Sequence, residues 1–380
     1  MDFTLPQELE MIRQTVKTFV DRNLRPLERE VEEADDVDPA VDKRLRKLSI
    51  ELGLYGHNLP ESLGGAGLSS LAQAVIGEEL GRTTIPLAAT LGYLPGSLAY
   101  TRPDQKEWFL DPILRADKVL SYAISEPDAG SDFGRIATRA RRQGDNWVLN
   151  GTKQFISGAK HADVVILLAV TDPEAPLRSR FSLFIVERDN PGFRYLRTMK
   201  KMGWHGSSLG VFALDECVVP DDHVLGKVGG GFDAIMATVN ATRIQYSGRY
   251  VGMASELLEL AVDYAKQRVA SGSPIGEYQA VQFMLADSEV ELQAARMLTY
   301  HAAWLADNGD PQVRIAASRS KLYGSEMVGR VADRVVQIFG GAGYVSDLPI
   351  ERMYRDARAF RIGEGTSEMH RIQIARNLLR

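Results

Sequence analysis

The residues best suited to chemistry lie near the C-terminus, in Arg361-Ile362-Gly363-Glu364-Gly365-Thr366-Ser367-Glu368. One carboxylate stands between two glycines, just before a segment of helical periodicity that runs to Arg380. Glycine lets the backbone pass close to a ligand, and Thr366 or Ser367 can cap the helix that follows. Glu364 would then sit at the edge of a flat ligand, beside helix amides, a placement that suits a general base. A Gly-Glu-Gly turn taken alone is most often only a turn, so the assignment depends on distant segments.

A second such segment is Ser125-Glu126-Pro127-Asp128-Ala129-Gly130-Ser131-Asp132. Pro127 fixes a backbone angle and Gly130 permits a tight reversal. Successive amides and the hydroxyls of Ser125 and Ser131 can face an anionic or heteroaromatic ligand; the competing reading is an ordinary β-turn. Gly341-Ala342-Gly343 and Gly65-Ala66-Gly67 both lack a third glycine at the proper spacing. Neither makes a dinucleotide fingerprint, which argues against a Rossmann nicotinamide enzyme.

These segments need a scaffold, and 380 residues suffice for two or three domains. Apolar residues make up 44% and charged residues 25%, as in ordinary globular proteins. A net charge of −5 argues against a nucleic-acid surface. Cys217 is the only cysteine, which excludes an internal disulfide and fits a reducing, cytoplasmic setting. The six histidines lack metal-ligand spacing, so no metal is expected. Met1-Asp2-Phe3 carries no signal-peptide pattern, and the apolar run 164–170 is too short for a membrane span.

Along the chain the periodicity changes twice. Thr4, with Gln7 as capping-box partner, is expected to open a helix with Leu9, Ile12, Val16, Phe19 and Val20 on one stripe. Further helices are expected from Asp38, from Ser69 or Ser70, and over 88–114. From 119 the pattern becomes strand-like, with strands at 164–170, 181–187 and 209–214 and a hairpin turn at Asn150-Gly151. After Gly229-Gly230-Gly231 long helices return over 233–268, 277–308 and 312–339, followed by a last one to Arg380. This gives an α+β multidomain chain: an N-terminal all-α domain (1–118), a middle antiparallel β-barrel or sandwich (119–226) and a C-terminal four-helix bundle (227–380).

Five motifs, in order and spacing over nearly the whole chain, resemble the acyl-CoA dehydrogenase family. Ile124 to Asp132 resembles its first signature, and Leu149-Asn150-Gly151-Thr152-Lys153-Gln154-Phe155-Ile156-Ser157 the strand pair that follows. Asp215-Glu216-Cys217-Val218-Val219-Pro220 resembles the end of its middle domain. Gln337-Ile338-Phe339-Gly340-Gly341-Ala342-Gly343-Tyr344 and Glu364 to Glu368 resemble its C-terminal signatures.

The resemblance implies FAD and an acyl-CoA substrate. It places Tyr122, Ile124 and Ser125, with Phe155, Ile156 and Ser157, around the flavin ring, Ser157 near N5. It assigns Arg268, Gln337, Gly340 and Gly341 to the adenine half of an FAD bound mainly by a neighbouring subunit, hence a homotetramer or at least a dimer, and counts Gln279 among the cofactor residues. Thr366 falls beside the pyrophosphate or ribityl, and Glu368 joins the cofactor set. Ser131, Asn240, Thr242, Arg243 and Gly365 would contact the substrate, although Arg243 is equally readable as a structural arginine.

Glu364 takes the base position. Some branches place the base where Thr242 stands, and threonine cannot serve. The implied reaction is α-proton removal by Glu364 with hydride transfer from the β-carbon to flavin N5 and hydrogen bonds to the thioester oxygen. An electron-transferring flavoprotein would then reoxidise the flavin. Departures from the family pattern are Phe155 for tryptophan, Ser271 for phenylalanine, His205 and Ser208-Leu209 for arginine and threonine, and Gly363 for tyrosine. Met202 and Trp204 read as packing, His205 and His370 as solvated. Alternatives on the same fold are an acyl-CoA oxidase or reductase, or a non-catalytic, nucleic-acid-associated relative.

Overall fold

The computed structural model describes residues 4–379. Met1 to Phe3, Arg380 and the side chain of Asn240 lie outside the described residues. Helices come first: α1 (Gln7–Phe19), α2 (Glu28–Ala34), α3 (Pro39–Glu51) and α4 (Ser70–Leu80), with short α5 (Ile85–Ala88) and α6 (Asp111–Leu114). Their starts follow local chemistry. Asp38 accepts hydrogen bonds from the Ala40 and Val41 amides, and Ser69 accepts from Ala72. Such caps contribute about 1 kcal/mol each. α1 begins at Gln7 with Pro6 in the N-cap position, which makes no side-chain cap. The stretch 88–114 is broken into single turns, because Pro95, Pro103 and Pro112 interrupt the helical ladder.

The middle segment is one eight-stranded sheet: β1 (Leu120–Ala123), β2 (Arg139–Gln143), β3 (Asn146–Ser157), β4 (Val164–Val170), β5 (Phe181–Glu187), β6 (Phe193–Thr198), β7 (Leu209–Pro220) and β8 (Val224–Leu225). Most pairings are antiparallel as expected, but β1 and β2 both run parallel to β4. Trp147 of β3 meets Phe184 of β5 at 5.5 Å between rings, although two strands separate them in the sheet order. The sheet therefore curls around its own core. β4 is buried on both faces: Val165, Leu167 and Ala169 enter that core, whereas Ile166 and Leu168 pack with Phe109, Leu110 and Ile113.

The hairpin expected at Asn150-Gly151 is a correction. The reversal lies at Gly144-Asp145, and β3 runs straight through 150–151. Gly151 is there because a Cβ would meet Thr138 Oγ1 at 2.4 Å; close approach, not a turn, selects glycine.

The last segment holds α7 (Gly231–Gln267), the β9–β10 ribbon (Val269–Ala270, Ser273–Pro274), α8 (Gln279–Asp307), α9 (Val313–Phe339), α10 (Gly341–Tyr344), α11 (Ile350–Ala359) and α12 (Ser367–Leu378). The fourth place in the bundle is thus divided, and the break between α11 and α12 carries Glu364. Leu257, Leu292, Val328 and Met353 share the bundle core. α7 also crosses α4 backbone to backbone: a Cβ on Gly252 would lie 1.7 Å from the Glu78 carbonyl oxygen, and one on Gly248 2.3 Å from that of Ala74. This crossing seats α7 against the N-terminal helices. Among the described residues no helix is long and apolar enough to cross a membrane.

Candidate active site

Glu364 has φ +55° and Gly365 φ +90°. A left-handed glutamate costs of order 1–3 kcal/mol and persists only where its surroundings impose it. Here they do. Arg243 of α7 donates Nε to the Glu364 carbonyl oxygen at 3.4 Å, and His370 of α12 places Nε2 3.3 Å from the same oxygen. Lys321 of α9 donates to the Gly365 carbonyl at 2.6 Å. Thr366 caps α12 by accepting from the Met369 amide. Three helices thus converge on one loop.

The carboxyl of Glu364 is half-buried, yet desolvation is the largest influence on it and raises its pKa. Arg243 and Lys321 oppose that shift. Burial brings Lys321 down to about 8 despite Glu364. His370 is brought down to about 3 by burial and by the same two cations, so it is neutral at pH 7 and its Nε2 carries the proton that faces the carbonyl. His370 is fully buried, which corrects the expectation of a solvated histidine.

Tyr93, Tyr122, Tyr246 and Tyr250 all lie within electrostatic reach of Glu364. Thr242 is buried and donates to the Thr238 carbonyl at 2.8 Å. Tyr93 rests against Thr242, and Tyr122 against Ser97 and Thr238, although neither phenol makes a well-aligned hydrogen bond.

The 124–131 loop is tied to β3. Gln154 N donates to the Ser125 carbonyl at 2.9 Å, and Ser121 Oγ to the Ser157 carbonyl at 2.7 Å. Beneath them, fully buried Lys153 pairs with Glu126 at 2.7 Å and donates to the Ile124 carbonyl at 3.1 Å. Phe155 has φ +60° in a bulge of β3 and is half exposed, followed by buried Ile156 and exposed Ser157. Ser131 is exposed, and nothing lies within 4 Å of a Cβ placed on Gly130. An open edge of amides, hydroxyls and one turned-out aromatic ring fits a flat heteroaromatic group.

Arg268, Gln279, Gln337, Gly340, Gly341 and Glu368 are exposed. The first five gather where α7 and α9 end and α8 begins, joined by the Tyr264–Phe339 ring stack at 4.2 Å. That end of α7 lies 26 residues beyond Thr242, about 39 Å along the axis. One flavin ring cannot reach both. Of the packing readings, Trp204 packs at a tilt against Phe360 and donates to the Asp356 carbonyl at 3.0 Å, whereas Met202 is exposed, a correction. His205 is half-buried and pairs with Glu32 instead of standing in solvent. Lys321, His370 and the Lys153–Glu126 pair escaped sequence reasoning. The available signal was a lone charge within a strand, as in Lys153 between Leu149 and Ile156.

Family models described as the N-terminal, middle and C-terminal domains of acyl-CoA dehydrogenase match residues 6–117, 121–217 and 229–379. The human mitochondrial short-chain specific acyl-CoA dehydrogenase is 39% identical over 381 residues, covering 99% of this chain and 91% of that protein. The acryloyl-CoA reductase (NADH) of Anaerotignum propionicum is 36% identical, covering 100% and 96%. A chain solved in work on the electron transferring flavoprotein of Acidaminococcus fermentans superimposes with a TM-score of 0.93 at 36% identity, covering 100% of both chains. With three domain matches, full-length relatives and a shared fold, this chain belongs to the acyl-CoA dehydrogenase family.

Proposed function

We propose that the chain carries out α,β-dehydrogenation of an acyl-CoA thioester with Glu364 as the base that removes the α-proton. The observation that carries this reading is the state of Glu364. Its backbone is held in a strained conformation by three helices, and desolvation raises the pKa of its carboxyl against the opposing pull of Arg243 and Lys321. A base with a raised pKa is matched to removing a weakly acidic proton near neutral pH. FAD, the cofactor, supplies the acceptor for the hydride that leaves the β-carbon. Tyr122, Ile124 and Ser125, with Phe155, Ile156 and Ser157, border the flavin ring, and the Lys153–Glu126 pair holds that border in place. Ser131, Thr242, Arg243 and Gly365, with Asn240, lie on the substrate side.

The distance along α7 supports giving Arg268, Gln279, Gln337, Gly340 and Gly341 to a second chain's cofactor, with Thr366 and Glu368 at its middle. An exposed stripe on α8 supports the same assembly, a homotetramer. Phe283, Val290, Met297 and Trp304 recur every seventh residue and are 62%, 69%, 41% and 54% exposed. The three matched segments support domains at 1–118, 119–226 and 227–380. The likeness to the chain from Acidaminococcus fermentans supports an electron-transferring flavoprotein as acceptor, and the single cysteine supports a cytoplasmic setting. The acryloyl-CoA reductase relative supports a second reading, the same chemistry run towards the saturated ester.

The test is anaerobic mixing of holoenzyme with acyl-CoA. Wild type bleaches its flavin, whereas Glu364→Gln binds FAD and ligand and bleaches roughly 10⁴ times more slowly. Equal rates place the base elsewhere. Photoreduced enzyme that an enoyl-CoA reoxidises faster than the flavoprotein acceptor favours the second reading.

A further inference from the structure

Arg249 is a buried cation with no anion. Only 2% of it is exposed, and among the described residues no carboxylate pairs with it. The other buried cations are matched: Arg352 by Glu28 at 2.7 Å, Lys153 by Glu126, Lys321 by the Gly365 carbonyl and Arg243 by that of Glu364. Among the described residues Arg249 has the Tyr246 ring, 4.8 Å from its guanidinium carbon, and its Nε makes no hydrogen bond. An uncompensated buried charge costs several kcal/mol.

Its surroundings are polar and also lack partners. Tyr93 Oη, the Gln245 amide and His57 Nε2 are buried without hydrogen bonds. His57 does not share the charge. Its Nδ1 lies 2.8 Å from the Leu54 carbonyl, and burial brings its pKa down to about 4. The Tyr93 ring lies 5.8 Å from that imidazole.

This group is aligned with the candidate active site. Thr242, Tyr246 and Arg249 follow at i, i+4 and i+7 on one face of α7. Tyr93, Tyr246 and Tyr250 each feel the charge of both Glu364 and Arg249. The three tyrosines thus lie within reach of both the base and the guanidinium, and Thr242 and Arg249 are about two helical turns apart along α7.

We propose that Arg249 is a specificity-determining residue that receives a carboxylate at the far end of the acyl chain, so that the preferred substrates are acyl-CoA esters of dicarboxylic acids. The proposal rests on the dehydrogenase reading of Glu364. A bound terminal carboxylate pairs with the guanidinium and accepts from the Tyr93 hydroxyl. A methyl terminus leaves both as they are, and the desolvation of Arg249 unrelieved.

The experiment uses FAD-loaded holoenzyme and pairs of acyl-CoA esters of equal length ending in methyl or carboxylate, over a range of lengths. The ratio of their kcat/KM values is compared in wild type, Arg249→Gln and Arg249→Lys. A second arm titrates the matching CoA thioethers, which cannot be dehydrogenated, against the flavin absorbance. We expect wild type to favour the carboxylate by about 10²-fold at one length, Arg249→Lys to keep part of that ratio, and Arg249→Gln to bring it near unity. Preference for methyl-ended esters in wild type, at every length, overturns the proposal while leaving the dehydrogenase reading intact. The same holds for a carboxylate preference that Arg249→Gln retains. If no ester bleaches the flavin but the thioether preference appears and needs Arg249, the proposal stands and the dehydrogenase reading fails.

Discussion

Lys153 Nζ lies 2.7 Å from Glu126 Oε1 with both side chains out of solvent, and the pair joins the 124–131 loop to β3. Glu126 also accepts from the Ala137 amide at 2.7 Å and from Thr138 at 3.1 Å. Lys153→Met leaves that carboxylate buried and unpaired, which should destabilise the protein by roughly 3–5 kcal/mol. Denaturant melting of holoenzyme checks this. The double variant Lys153→Met/Glu126→Leu should recover much of the loss; a double variant as unstable as the sum of the singles would rule out the pair as the cause.

The same pair gives a pH dependence to stability. Burial alone would raise the Glu126 pKa, but Lys153 and the amide donors outweigh it and hold the pKa below its ordinary value. The contribution is therefore present above the ordinary glutamate range and is lost as pH falls through the lowered native value. Acid titration of Glu126→Gln should show a flatter loss of stability than wild type below about pH 4.5.

Activity should respond to acid in a separate window. Desolvation raises the Glu364 pKa, and only its ionised form accepts the α-proton. The acid limb of kcat/KM should lie above the ordinary glutamate pKa. Lys321→Met removes a cation that opposes the shift, so the limb should move to higher pH. A limb that stays in place while kcat falls at every pH would leave Lys321 with a packing role alone.

The α8 stripe makes a test of assembly. Val290→Lys puts a charge at the centre of Phe283, Val290, Met297 and Trp304. Sedimentation should show dissociation to smaller species with accompanying loss of FAD, because each cofactor would lose its second chain. Dissociated protein that keeps FAD would separate assembly from cofactor retention.

The ends of elements were legible in the sequence where one side chain decides them: Asp38, Ser69 and Thr366 cap as their types require. Asn150-Gly151 misled because Asn-Gly has two uses. Its glycine admits Thr138, and its asparagine side chain accepts from the Glu216 amide across β7. Glu364 was legible through its flanking glycines. Its supports were not: Lys321 and Arg243 lie 43 and 121 residues away from it, and only tertiary packing brings them to its loop. His370 is near in sequence, but burial, not spacing, sets its state.

The left-handed backbone at Glu364 bears on how this protein would change under selection. Glycine adopts φ +55° without strain, so Glu364→Gly should relieve about 1 kcal/mol while removing the proton acceptor. Variants at position 364 sorted by heat resistance alone would enrich glycine, and the most durable population would be inert.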